Sequence, residues 1–117
     1  FACGDETTAL SAGQVISFRM PFALTLAAGI LGVKGSLVTA GTGVNLVTVD
    51  INESSSSILS TKLTFDATET TTLSAATPVV ISDTALAADS IITVDVDQVD
   101  SGGAAAGLKI TLLGTLT

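Results

Sequence analysis

The chain has 117 residues, 47% of them apolar, 3% aromatic and 13% charged, and carries a net charge of −7. That length is one domain, 1–117, with a single core. Four basic residues against eleven acidic ones, with no basic cluster along the row, exclude a nucleic-acid footprint and disfavour anionic membrane surfaces.

Gly4 to Gly13 form a polar lead, and residues 1–13 read as an extended N-terminal arm. From Gln14 to Met20 the chain alternates, with Ile16, Phe18 and Met20 on one face and Val15, Ser17 and Arg19 on the other. Pro21 ends that strand. Phe22 to Val38 offers one long strand or two shorter ones, broken by Gly29, Gly32 and Gly35. The apolar part between Arg19 and Lys34 is shorter than the roughly 20 residues a membrane helix needs, so it reads as core strand. It is preceded by sequence of mature character and no initiating Met, which fits a processed chain or excised domain better than a signal peptide.

Ala40 to Gly43 is a turn, and Leu46 to Asn52 alternates strictly, Val47, Val49 and Ile51 facing one way and Thr48 and Asp50 the other. Asn52 to Ser57 is a hairpin loop. Leu63 and Phe65 share a face of a short strand before the Asp66 to Glu69 turn, Thr70 to Thr72 begins another, and Pro78 to Ser82 reads as a strand opening at its proline. Asp83 to Asp89 is expected to hold one helical turn capped by Asp83. Ile91 to Gln98 repeats the alternation, with Ile92, Val94 and Val96 inward and Thr93, Asp95 and Asp97 outward, so two similar halves are expected to share a core. The loop from Asp100 to Ala104 leads to the last strand, with Leu108, Ile110 and Leu112 inward.

About eight strands at this spacing predict an all-β, antiparallel β-sandwich. A core with no Trp or Tyr, and with three of the four Phe expected inside, buries less area than an aromatic one, so self-association is the expected source of further stability. Phe1, Phe22, Leu24 and Leu26 are the candidate interface residues.

The chain has no His, which excludes serine–histidine and cysteine–histidine catalysis. Cys3, the one cysteine, excludes an internal disulfide and sits in a segment expected to be loose, with no activating neighbour. The glycines around Lys34 lack the phosphate-loop pattern. Asp50, Asp95 and Asp97 project from like faces of the two alternating strands, with Glu53 and Asp100 in the loops that end them, and are the candidates for a hard-cation site. Against it stands their ordinary use as solvated charges that keep sheet edges apart. A paired-carboxylate glycosidase would need one acid in an apolar pocket, which nothing in the row supplies. Asn52-Glu53-Ser54 matches a glycosylation acceptor. No enzyme activity and no cofactor are expected. A host surface glycan is the alternative partner, through the Ser54–Ser57 and Asp66–Thr72 loops of a carbohydrate-binding module. A third expectation is an extracellular filament subunit pairing Phe22 to Val33 with a neighbour's sheet edge.

The phrases Asp5-Glu6-Thr7-Thr8-Ala9-Leu10, Phe18-Arg19-Met20-Pro21-Phe22, Val49-Asp50-Ile51-Asn52-Glu53, Ile58-Leu59-Ser60-Thr61-Lys62-Leu63-Thr64, Leu86-Ala87-Ala88-Asp89 and Gly107-Leu108-Lys109-Ile110-Thr111-Leu112 span most of the chain. In order and spacing they resemble a group of small tailed-bacteriophage virion proteins found in fibres, spikes and capsid-decorating proteins. The resemblance implies a jelly-roll-like sandwich, assembled as a trimer or another symmetric oligomer on the virion exterior. It also implies other virion proteins, such as the major capsid protein, as partners. It brings no catalytic residues.

Overall fold

The computed structural model describes residues 1–117. Twelve short strands follow one another rather than about eight: β1 (Gly13–Arg19), β2 (Leu24–Leu26), β3 (Val33–Ser36), β4 (Val47–Glu53), β5 (Ser56–Ser57), β6 (Leu59–Thr61), β7 (Leu63–Phe65), β8 (Val80–Ile81), β9 (Ala85–Leu86), β10 (Ile91–Gln98), β11 (Lys109–Leu112) and β12 (Gly114–Leu116). The fold is all-β and antiparallel, distributed over several small sheets.

The two alternating segments are not in separate halves. They are β4 and β10, hydrogen-bonded side by side with Asp50 opposite Asp95 and Ile51 opposite Val94. Because cross-strand partners share a face, Val47, Val49, Ile51, Ile92, Val94 and Val96 make one continuous aliphatic surface, and all six are buried. β1 pairs with the far side of β10, while β5 and β7 share the other edge of β4 end to end. A bulge at Val15 shifts the β1 register, so Val15 and Ile16 are both half-buried against the core.

The remaining strands form the pairs β11–β3 and β6–β8 and the three-stranded β12–β2–β9 sheet. The long apolar stretch divides into β2 and β3 around a single 3₁₀ turn, Gly29–Leu31, where Gly29 takes φ 76°. Leu24 and Leu26 are 8% and 3% exposed, so these two interface candidates are core residues, whereas Phe1 and Phe22 are 42% and 47% exposed. Only Phe65 of the four rings is buried. Phe18 is half-buried because β1 is an edge strand with cover on one side only.

The helical turn expected after Asp83 is absent. Asp83 Oδ1 accepts the Ala85 N–H at 3.1 Å, a side-chain turn that hands the chain directly to β9. At Thr70–Thr72 there is one isolated bridge, Thr71 with Ser36, instead of a strand. The β4–β5 hairpin closes through Ser54 and Ser55, with φ of 48° and 72°. Two positive φ values in a two-residue loop are the mark of a type I′ turn.

The first residues lie along β11. The Phe1 amino group donates to Ile110 O at 2.6 Å, Ile110 N–H returns to Phe1 O at 2.9 Å, and Cys3 N–H reaches Leu108 O at 2.9 Å. Cys3 is therefore in the core cluster rather than in a loose segment.

The β3–β11 pair closes over the five-stranded sheet at Gly35. A methyl group there would sit 2.8 Å from Phe65 Cζ, close enough to force a shift, and 3.1 Å from Thr72 Cγ2, which would have to give by a few tenths of an ångström. Gly35→Ala is expected to lower stability by about 1–3 kcal/mol, read as a shifted urea midpoint, and to cost less in a Phe65→Leu background, where the ring no longer occupies the space.

Candidate functional site

The β4–β10 register brings the predicted acids together. On the outer face of the five-stranded sheet, Asp50 and Asp95 stand directly opposite each other, and Asp97 is next along β10, at the register shift between Val96 and Gln98. The centre they surround holds the ammonium of Lys62, from the bend between β6 and β7. Lys62 Nζ is bonded to Asp97 Oδ2 and lies 3.9 Å from Asp50 Oδ2. The Asp97 bond raises the Lys62 pKa against the lowering by desolvation, with the charges of Asp97, Asp50 and Asp95 adding to the rise.

Asp50 is not a solvated surface acid as expected. It is buried, and its Oδ1 accepts from Ser57 Oγ at 2.6 Å and from Ile51 N–H at 2.9 Å. Asp95 Oδ2 accepts the Asn52 amide at 2.8 Å. Asn52 thus lies within β4 rather than in a loop, with its amide nitrogen engaged. A cation would have to displace Lys62, and no group of three or more potential ligands is arranged to hold a metal.

Glu53 and Asp100 do not join this cluster; each fastens a loop. Glu53 Oε2 accepts Ala87 N–H at 2.8 Å and Ser90 Oγ–H at 2.7 Å, closing the turn before β10. Asp100 is buried beneath the loops at 41–45 and 100–105. Its Oδ2 accepts Thr42 and Ala104 N–H, both at 2.9 Å, and its Oδ1 accepts Ala105 N–H at 3.3 Å. Desolvation acts to raise its pKa, but these backbone donors outweigh it and hold the carboxyl below its ordinary value of 3.8. Beside it, Ser101 Oγ accepts Val44 N–H at 2.9 Å and Asn45 N–H at 3.3 Å.

Of the hydroxyl loops, Ser54, Ser55 and Ser56 stand exposed. Ser57 Oγ bonds Asp50 and Leu59, and Ser74 bonds Glu69. The Cys3 thiol is pushed up to about 11 by burial, with the nearby N-terminal charge opposing, and is unreactive as a nucleophile at neutral pH.

The feature turned outward is aromatic. Phe1 and Phe18 meet edge to face, centroids 4.9 Å apart, and with Pro21, Phe22 and Leu112 they line an open groove beside β1. Arg19 at its rim is the one charged residue lining it. Phe1 and Phe22 were named from the sequence; Phe18 was missed, because its alternation with Ile16 is that of a core residue and only its place on an edge strand uncovers it. No protein-family model, curated protein or solved structure matches the chain.

At pH 7, Asp100→Ala is expected to cost about 3 kcal/mol by leaving buried N–H groups without an acceptor. Because the folded pKa is depressed, the wild-type contribution is complete above the ordinary value and fades as pH falls through the lower folded one. The difference in urea midpoint between the two proteins should therefore hold constant from pH 7 down to the ordinary carboxyl value of 3.8 and narrow only below it. Millimolar calcium is expected to leave the thermal midpoint unchanged, and Lys62→Gln to lower stability by at most about 1 kcal/mol at low salt.

Proposed function

We propose that the chain is a non-catalytic structural subunit of a tailed-bacteriophage particle. It is a jelly-roll-like β-sandwich on the virion exterior that decorates or cements the capsid or forms a domain of a fibre. The observation that carries this reading is the groove of Phe1, Phe18, Pro21 and Phe22: three of the four aromatic rings of an acidic chain, Phe1 and Phe22 exposed and Phe18 half-buried, gather in one place that no carboxylate lines. Exposed aromatic residues with an arginine at the rim are the composition of protein-interface hot spots. The acids that carry potential chemistry are meanwhile occupied with Lys62, Ser57 and backbone N–H groups. The groove accordingly takes an apolar segment of another virion protein, such as the major capsid protein, or of another copy, with a trimer as the favoured assembly.

An extracellular filament subunit is the second reading, favoured by β1, which is paired along one side only.

Electron microscopy of particles with and without the chain tests the proposal. Density for the subunit at symmetric exterior positions is expected, together with lower thermal robustness of particles lacking it, or lost host attachment for a fibre domain. Particles equally robust and equally infectious without it would overturn both versions.

A further inference from the structure

The two sides of the molecule carry different charged groups. Two of its four cations, Lys34 and Lys109, lie on the short β3–β11 pair. The register sets Lys109 opposite Ser36 and Thr111 opposite Lys34. Since cross-strand partners share a face and neighbours along a strand alternate, these four stand together. Val33, Gly35 and Ile110 turn the other way and are buried.

Gly35 faces Phe65 on the inner side of the five-stranded sheet. The lysine face therefore looks out on the side opposite the one that carries Asp50, Asp95 and Asp97. Each of the other three cations has a carboxylate within 4.0 Å; Lys34 has none. With Ser36, Thr71 and Thr111 it lines a shallow cleft of about 220 Å³ whose lining includes no acid. Lys109 is paired with Glu6 at 2.9 Å, but both side chains are well exposed, so that bond is readily exchanged.

We propose that the β3–β11 face docks a second copy of this chain, receiving the Asp95 and Asp97 side of its neighbour, so that copies associate head to tail. The inference rests on the second reading, of the chain as a filament subunit, and names the contact between its copies. Lys34 and Lys109 meet Asp95 and Asp97, whose bonds to Asn52 and Lys62 lie at the partly exposed surface and are exchangeable, while Ser36, Thr71 and Thr111 supply hydroxyl donors at the same place. Opposite charge steers the approach and sets which face meets which. The contact is heterologous: each copy uses two different surfaces, and because these look in opposite directions it extends into a stack rather than closing as a pair.

Sedimentation velocity on the full chain tests this with two charge-reversed proteins, Lys34→Glu/Lys109→Glu, acidic on both sides, and Asp95→Lys/Asp97→Lys, basic on both. The wild type is expected to grow with concentration at low ionic strength and to return to monomer in 1 M NaCl, where the screening length is about 3 Å. Each variant alone should associate at least about tenfold more weakly, and an equimolar mixture should recover association. The wild type supplies its own control through the salt series, so the test stands even if one variant fails to fold. A wild type that is monomeric at every concentration in low salt would overturn the proposal. Association that persists in Lys34→Glu/Lys109→Glu, or in high salt, would overturn it too, but would leave the assembly reading intact and point to the aromatic groove. Binding of inorganic phosphate at Lys34 without any self-association would also reject it, in favour of a small-anion site.

Discussion

The pairing of β4 with β10 is the constraint on which the rest of the molecule depends. Strand side chains alternate with a period of two, so the register that sets Ile51 against Val94 and Val49 against Val96 also sets Asp50 against Asp95. A slip by one residue would turn the three aliphatic side chains of the shifted strand outward and its carboxylates into the core. The burial of the aliphatic face and the cost of burying charge thus select the same alignment. Everything else is arranged around that pair: β1 beside β10, β5 and β7 along β4, and the β3–β11 pair closed over Phe65.

With twelve strands of which most span two to four residues, much of the chain is connection, and its backbone groups need partners other than a ladder. Carboxylates supply them. Asp5 accepts from Thr7 and Thr8, Asp66 from Ala76, Asp83 from Ala85, Glu53 from Ala87, and Asp100 from three donors at once. An ionised carboxylate is a stronger acceptor than a neutral group. The acidity that from composition alone speaks of solubility therefore also holds the connections in place, and it leaves few acids free to act on anything else.

The long strands were legible because their alternation is strict and β-branched. The acid cluster was legible in part: like faces of two similar strands pointed to Asp50, Asp95 and Asp97, but not to Lys62, which enters from a bend with no periodicity. Nor was the burial of Asp50 visible, since Ser57 covers it only because Ser54 and Ser55 turn the chain back. The expectation of a helix after Asp83 followed a rule that applies equally to an Asx turn, and the extended outcome was decided by pairing of Ala85 with Thr25. Leu24 and Leu26 were placed at an interface because apolar content does not distinguish a covered strand from an uncovered one. The neighbours that cover them, β12 and β9, are distant in sequence.

The Ser54–Ser55 hairpin has a consequence for how the protein tolerates change. Left-handed backbone at a residue with a side chain costs about 1–2 kcal/mol relative to glycine, and the turn does so twice in succession at a tip where both serines are exposed. The chain thus holds a reserve at an exposed turn whose neighbours, Asn52 and Ser57, bond Asp95 and Asp50. Drift toward Asn-Gly there would offset damage elsewhere, giving the remaining surfaces latitude to diversify while the register beneath them is kept.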